Sequence, residues 1–131
     1  YARTALAAFD GDRAATIEHA AASGVWHGGP KEAEDLLWEF CDVLAGPFRA
    51  PSYRIGGGDD DVMERLNGVT LRLMKHPKAI RAHRHLIYIH RSLGGMFLMG
   101  RDLEVEADWG AIVRPHLQYA VDYAEGRIAQ A

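Results

Sequence analysis

The sequence predicts an all-α fold of about six helices. Apolar residues recur at helical spacing in several separate segments. Convincing alternation of apolar and polar residues, the signature of half-buried strands, is missing. Capping residues and glycine or proline stops divide the apolar segments at intervals that suit helices. The 131 residues are enough for one domain, 1–131, with a core of its own. Its 48% hydrophobic and 25% charged residues are ordinary for a globular chain.

The first helix is expected over Tyr1–Phe9, with Ala2, Leu6 and Phe9 on one side. Asp10-Gly11-Asp12 breaks it. Asp12 can then cap a second helix through Ala22, because its carboxylate can accept the free amides of the first turn. Ser23-Gly24 closes that helix. His27-Gly28-Gly29-Pro30 forms a loop whose proline suits a first helical position. Lys31–Ala45 is the clearest helix. Ala33, Leu36, Leu37, Phe40 and Leu44 follow one face, and Glu32, Glu34 and Asp35 suit the positive end of the helix dipole. Gly46-Pro47 should stop it. Phe48–Gly58 reads as a long, mobile loop. Asp59 or Asp60 is expected to cap a helix running to about Lys75, with Val62, Leu66, Val69 and Leu73 inward. Pro77 ends it.

A long helix follows from about Ala82 to Leu103. Leu86, Ile89, Leu93, Met96 and Gly100 share a face that Ile87, Gly94 and Phe97 widen, so burial on more than one side is expected. Glycine in a helix interior costs about 1 kcal/mol relative to alanine. The pair Gly94-Gly95 therefore predicts a neighbouring helix packed closely against at least one of them. Asp108 should cap a last helix from Trp109 to about Ala129, kinked or restarted at Pro115. Its expected core face is Ile112, Leu117, Ala120, Ala124 and Ile128.

Charge is unevenly distributed. Residues 1–64 carry 12 acids and 5 Lys or Arg, residues 65–101 carry 8 Lys or Arg and no acid, and residues 102–131 carry 6 acids and 2 arginines. The middle block also holds His76, His83, His85 and His90. Such a block can attract phosphates or anionic headgroups, but neutralisation by the acidic helices is the favoured expectation. Tyr88 and Phe97 are too few aromatics for a nucleic-acid stacking platform, so nucleic acid is disfavoured. Cys41, the single cysteine, rules out an internal disulfide framework and reads as a buried structural thiol. Runs long enough to span a membrane and a secretory leader are both missing. The expected location is cytoplasmic or peripheral to a membrane, not secreted. The chain opens on Tyr1 rather than methionine, as a segment of a longer protein or a processed product would.

Catalytic, cofactor-binding and metal-ligating residues are not expected within the chain. Gly56-Gly57-Gly58 lacks the strand before it and the Lys-Ser/Thr after it that a phosphate loop needs. Asp59-Asp60-Asp61 lacks the alternating oxygen ligands and late glutamate of a calcium loop. His83 and His90 share a helix face but His85 does not, which disfavours zinc.

Three segments, in order along the chain, carry a family resemblance. They are LAAFDGDRAATIEHAAASG from Leu6, IHRSLGG from Ile89 within LIYIHRSLGGMFLMG, and DWGAIVRPHLQYA from Asp108. Together they resemble the C-terminal helical part of the UbiB/AarF family of atypical protein-kinase-like ATPases. Ser92 stands where that family often has lysine. The resemblance implies the helical C-lobe segment of a kinase-like fold, associated with isoprenoid quinone (coenzyme Q) or lipid metabolism. It implies ATP and Mg for the parent protein, bound by groups that would precede Tyr1. These are a Lys-x-Gly-Gln signature, an ATP-pairing lysine, a catalytic-loop aspartate and asparagine, and an Asp-Phe-Gly aspartate. The segment itself would scaffold the upstream catalytic half of its own chain, with a membrane-surface or protein docking face, and would be inactive alone.

Two alternatives come from the residues. His90, mid-helix, suggests a histidine phosphotransfer bundle, although the leucine, lysine and glycine expected after a phosphotransfer histidine are out of register or lacking. The basic block suggests a helical binding module.

Overall fold

The computed structural model describes residues 1–57, 61–81 and 84–128, with the backbone alone for residues 84–86. Among these residues lie six helices: α1 Ala2–Phe9, α2 Arg13–Ala22, α3 Lys31–Arg49, α4 Val62–Leu73, α5 Arg84–Asp102 and α6 Trp109–Ala124. Two short strands, β1 Tyr53–Arg54 and β2 Glu106–Ala107, pair antiparallel with Tyr53 opposite Ala107. The fold is all-α, as the spacing predicts.

The caps of α2 and α6 lie where the sequence puts them, and that of α4 lies at Asp61 instead of Asp59 or Asp60. Asp12 accepts a hydrogen bond from the Ala15 amide at 3.0 Å, and Asp108 accepts one from the Ala111 amide at 2.8 Å. Each satisfies an amide that the first helical turn leaves free. Gly24, with φ +73°, turns the chain after α2. Pro30 sits one residue before α3 rather than at its first position. The helix before Lys75 is capped by position, at Asp61, without a side-chain hydrogen bond. Asp59 and Asp60 lie outside the described residues.

α3 is the central strut and packs against α1, α2, α4 and α6. Two apolar clusters lie along it. Ala33 and Leu37 meet Ala20, Trp26 and Ala79, while Ala45 meets Ala8 and Phe9. Cys41 packs against both clusters. Trp26 is held by a strand-like bridge to Ile80, in which the His27 amide donates to the Ala79 carbonyl at 2.8 Å.

α3 does not stop at Gly46-Pro47. It continues to Arg49 with Pro47 buried inside it. Proline forfeits one helical hydrogen bond, but tertiary contacts hold the last turn. Phe48 stacks on Phe9 with ring centroids 4.7 Å apart. The Arg49 guanidinium donates to the Ala8 and Phe9 carbonyls at the end of α1 and pairs with Asp42 at 2.6 Å.

The expected Phe48–Gly58 loop is likewise replaced up to Arg54, first by the end of α3 and then by β1. The Trp109 indole N–H donates to the Tyr53 carbonyl at 2.9 Å, tying the small sheet to α6.

α6 runs unbroken through Pro115 and ends at Ala124, earlier than expected. Its inner face is also different. Val113, Leu117 and Val121 turn inward, whereas Ile112, Ala120 and Ala124 are exposed. Of the expected face, Leu117 is among the residues packed inward.

Leu37 is almost wholly buried, and Leu71 on α4 is exposed. Leu37→Ala should cost about 2–5 kcal/mol, measured by denaturant unfolding. Leu71→Ala should cost less than about 0.5 kcal/mol. Equal effects would contradict the placement of the core along α3.

Candidate functional site

α5 carries the most distinctive sequence of the chain and the largest uncovered apolar surface. The sequence predicts burial on more than one side. Instead, Tyr88 is 69% exposed, Met96 67%, Met99 65% and Leu103, just past the helix, 71%. Ile87, Ile89, Leu93 and Leu98 are exposed as well. The helix touches the body of the molecule along one narrow side. A Cβ placed on Gly100 would lie 2.9 Å from Ile55 Cδ1, and the Arg101 side chain crosses Gly56. Nearer the start of α5, the His90 and Tyr1 rings lie 6.0 Å apart. Phe97 and Gly94 are half-buried between these points. The side chain of Leu86 lies outside the described residues.

The close approach expected at Gly94-Gly95 is not made by any of the described residues. Among the described residues, a Cβ at either position would meet no atom within 4 Å. The glycine that does need its missing side chain is Gly110. A Cβ there would collide with the carbonyl oxygen of Phe48, so the first turn of α6 rests directly on the end of α3. Gly110 follows Asp108-Trp109, and its position just after a helix cap was the available signal.

The titratable residues singled out from the sequence are dispersed. His90 is held below the usual histidine range by burial, which favours the neutral ring. His83 and the side chain of His85 lie outside the described residues, so their relation to His90 is not defined. Among the described residues, no group of three His, Cys, Asp or Glu is placed to hold a metal ion. The Cys41 thiol is pushed up to about 11, first by burial and then by the nearby Asp42 charge.

Neutralisation of the basic block is partial. Arg72 of α4 reaches Glu39 of α3 at 2.6 Å. Arg65 pairs locally with Asp61 at 3.9 Å, and Arg101 with its neighbour Asp102 at 3.2 Å. Lys75, Lys78, Arg81 and Arg91 make no ion pair among the described residues. An open cleft of about 260 Å³ between α3, β1 and α4 is lined by Asp42, Arg49, Tyr53, Asp61 and Arg65. Its two arginines face two aspartates, so it offers little net charge to a ligand.

Among the described residues, no helix is long and apolar enough to cross a membrane. No protein-family model matches the chain, and no curated protein or solved structure gives a significant match.

Two outcomes follow from this geometry. Gly94→Ala should raise stability by about 0.5–1 kcal/mol, because it fills open space in a helix interior. Gly110→Ala should lower it by about 1–3 kcal/mol through overpacking. Thermal unfolding of the two variants checks the contrast, and a loss at Gly94 would restore a close contact there. The Cys41 thiol should react with an aromatic disulfide reagent far more slowly in the folded chain than in denaturant. Equal rates would show the thiol to be accessible.

Proposed function

We propose that this chain is the helical C-lobe segment of a UbiB/AarF-like atypical kinase/ATPase associated with isoprenoid quinone or lipid metabolism, and that its role is scaffolding. The observation that carries this reading is α5. The helix with the IHRSLGG motif displays much of its apolar surface, as a helix does when it belongs to a larger assembly. Two further parts of the resemblance coincide with structural joints. Asp12 caps α2 beside the Gly-Asp-Arg turn, and Asp108-Trp109-Gly110 builds the junction of α6 with α3 and β1. Such residues set the shape of a scaffold rather than perform chemistry. ATP and Mg would be held by the upstream catalytic half. The exposed apolar residues of α4, α5 and α6 supply surfaces for that half, or for a membrane-surface or protein partner.

His90 keeps the phosphotransfer alternative in play, because a neutral imidazole is the nucleophilic form. The two readings differ in measurable ways. A scaffold should show no appreciable Mg-ATP binding by calorimetry and no mass gain after incubation with acetyl phosphate. Micromolar ATP affinity would overturn the assignment as a non-catalytic segment. An acid-labile phosphate lost in His90→Gln would make phosphotransfer the function.

A further inference from the structure

The most exposed apolar residues of α5 share one side of it. At 100° per residue, Tyr88, Ser92, Gly95, Met96 and Met99 fall within about 100° of one another, and Leu103 continues the line. This outward stripe contains no charged residue, and its large members are the most exposed large hydrophobic residues of the helix. Apart from the adjacent Gly95 and Met96, successive members are three or four residues apart, the spacing by which one helix seats against another. Near its middle stands Gly95, where a Cβ would meet no atom within 4 Å among the described residues. The helix that can approach there is therefore not one of this chain's described elements.

We propose that the stripe is covered by the same stripe of a second copy, the two α5 helices running antiparallel about a two-fold axis that passes between Gly95 and Met96. This deepens the scaffold reading and rests on it, by naming the partner that α5 docks.

The flanking charges select this occupant. Arg91 and Asp102 are 11 residues apart and fall within about 20° of each other, on the same edge of the stripe. A two-fold axis perpendicular to the helices brings like edges together. It also places the partner's Asp102 about 3 Å along the axis from Arg91, at 1.5 Å rise per residue. Two symmetry-related ion pairs result. Parallel pairing, about an axis along the helices, would instead set this edge against the opposite one, Ile89 and Leu93, and leave Arg91 and Asp102 without a partner. An anionic bilayer would prefer a flank that is basic alone, and this one carries both signs. Arg91 makes no ion pair within the chain among the described residues. The contact of Asp102 with Arg101 is between exposed sequence neighbours and is easily exchanged. Small residues at Ser92 and Gly95 allow the two helices to come close, and Met96 and Met99 are adaptable enough to fill the seam.

Sedimentation velocity on the chain at micromolar concentrations should show a dimer. Met99→Glu should convert it to a monomer with an unchanged far-ultraviolet circular dichroism spectrum. Arg91→Asp and Asp102→Arg should each weaken the dimer several-fold, and the two together should restore it. Gly95→Cys should cross-link readily on oxidation. Tyr88→Cys should not, because the two positions lie about 22 Å apart along the antiparallel pair. The unmodified chain, with Cys41 in the core, is the control. A monomer at every concentration overturns the proposal, as does a dimer indifferent to Met99→Glu. So does equal cross-linking at both cysteines, or a monomer that floats with anionic phosphatidylserine vesicles. None of these results touches the scaffold reading, which fails instead on ATP binding or phosphate transfer.

Discussion

The junction at the end of α3 holds this fold together. A helix leaves its last carbonyls without partners, and burying them uncompensated is costly. The carbonyls of Ala8 and Phe9 at the end of α1 are met by the Arg49 guanidinium, whose charge also suits the negative end of the α1 dipole. Arg49 is placed there because α3 continues past Pro47 to complete its last turn. That turn also sets Phe48 flat on Phe9 and brings the Phe48 carbonyl against Gly110. Three helices and, through Trp109, the two-stranded sheet converge within a few residues. Opposite charges tighten the periphery. Arg114 lies over the Phe9 ring and pairs with Asp10 at 2.7 Å, while Arg3 reaches Glu125 at 2.6 Å.

That convergence explains which features the sequence could and could not disclose. Asp12 and Asp108 were legible because a cap is a local device: a short acceptor, then the first free amides. The face of α3 was legible because Ala33, Leu36 and Leu37 repeat at helical spacing beside acids that stay wet. The stop at Gly46-Pro47 misled, because propensity prices the lost hydrogen bond and not the ring stack or the arginine that offset it. The α6 face misled for a related reason. Ile112 and Val113 are both apolar neighbours, and spacing alone does not choose between adjacent registers. The contact of Gly110 with Phe48 makes the choice, and it joins residues far apart in sequence.

α5 poses the sharper lesson. Its pattern says that the helix is apolar around most of its circumference, and that is correct. Burial does not follow, because periodicity identifies surface that favours leaving water without naming what will cover it. The same holds for Gly94-Gly95. A glycine pair permits close approach, but the approaching partner need not belong to the same chain. Of the described glycines, Gly110 meets neighbouring backbone most tightly, whereas Gly95 faces outward among methionines.

The charge pattern points the same way. Were the basic block of residues 65–101 present only to neutralise the acidic helices, its cations would sit in ion pairs between elements. Arg72 with Glu39 is such a pair. Arg65 and Arg101 find acids within their own neighbourhoods, and Lys75, Lys78, Arg81 and Arg91 find none among the described residues. Exposed pairs contribute little to folding, so leaving these cations unpaired costs the monomer little. Of these cations Arg91 alone lies on α5, at the rim of the proposed seam, where charges set direction and register more than affinity. A helix whose wide apolar surface is edged on one side by Arg84, Arg91 and Asp102 is therefore constrained in how it can be covered, and the constraint comes from the spacing of Arg91 and Asp102 rather than from the amount of apolar surface.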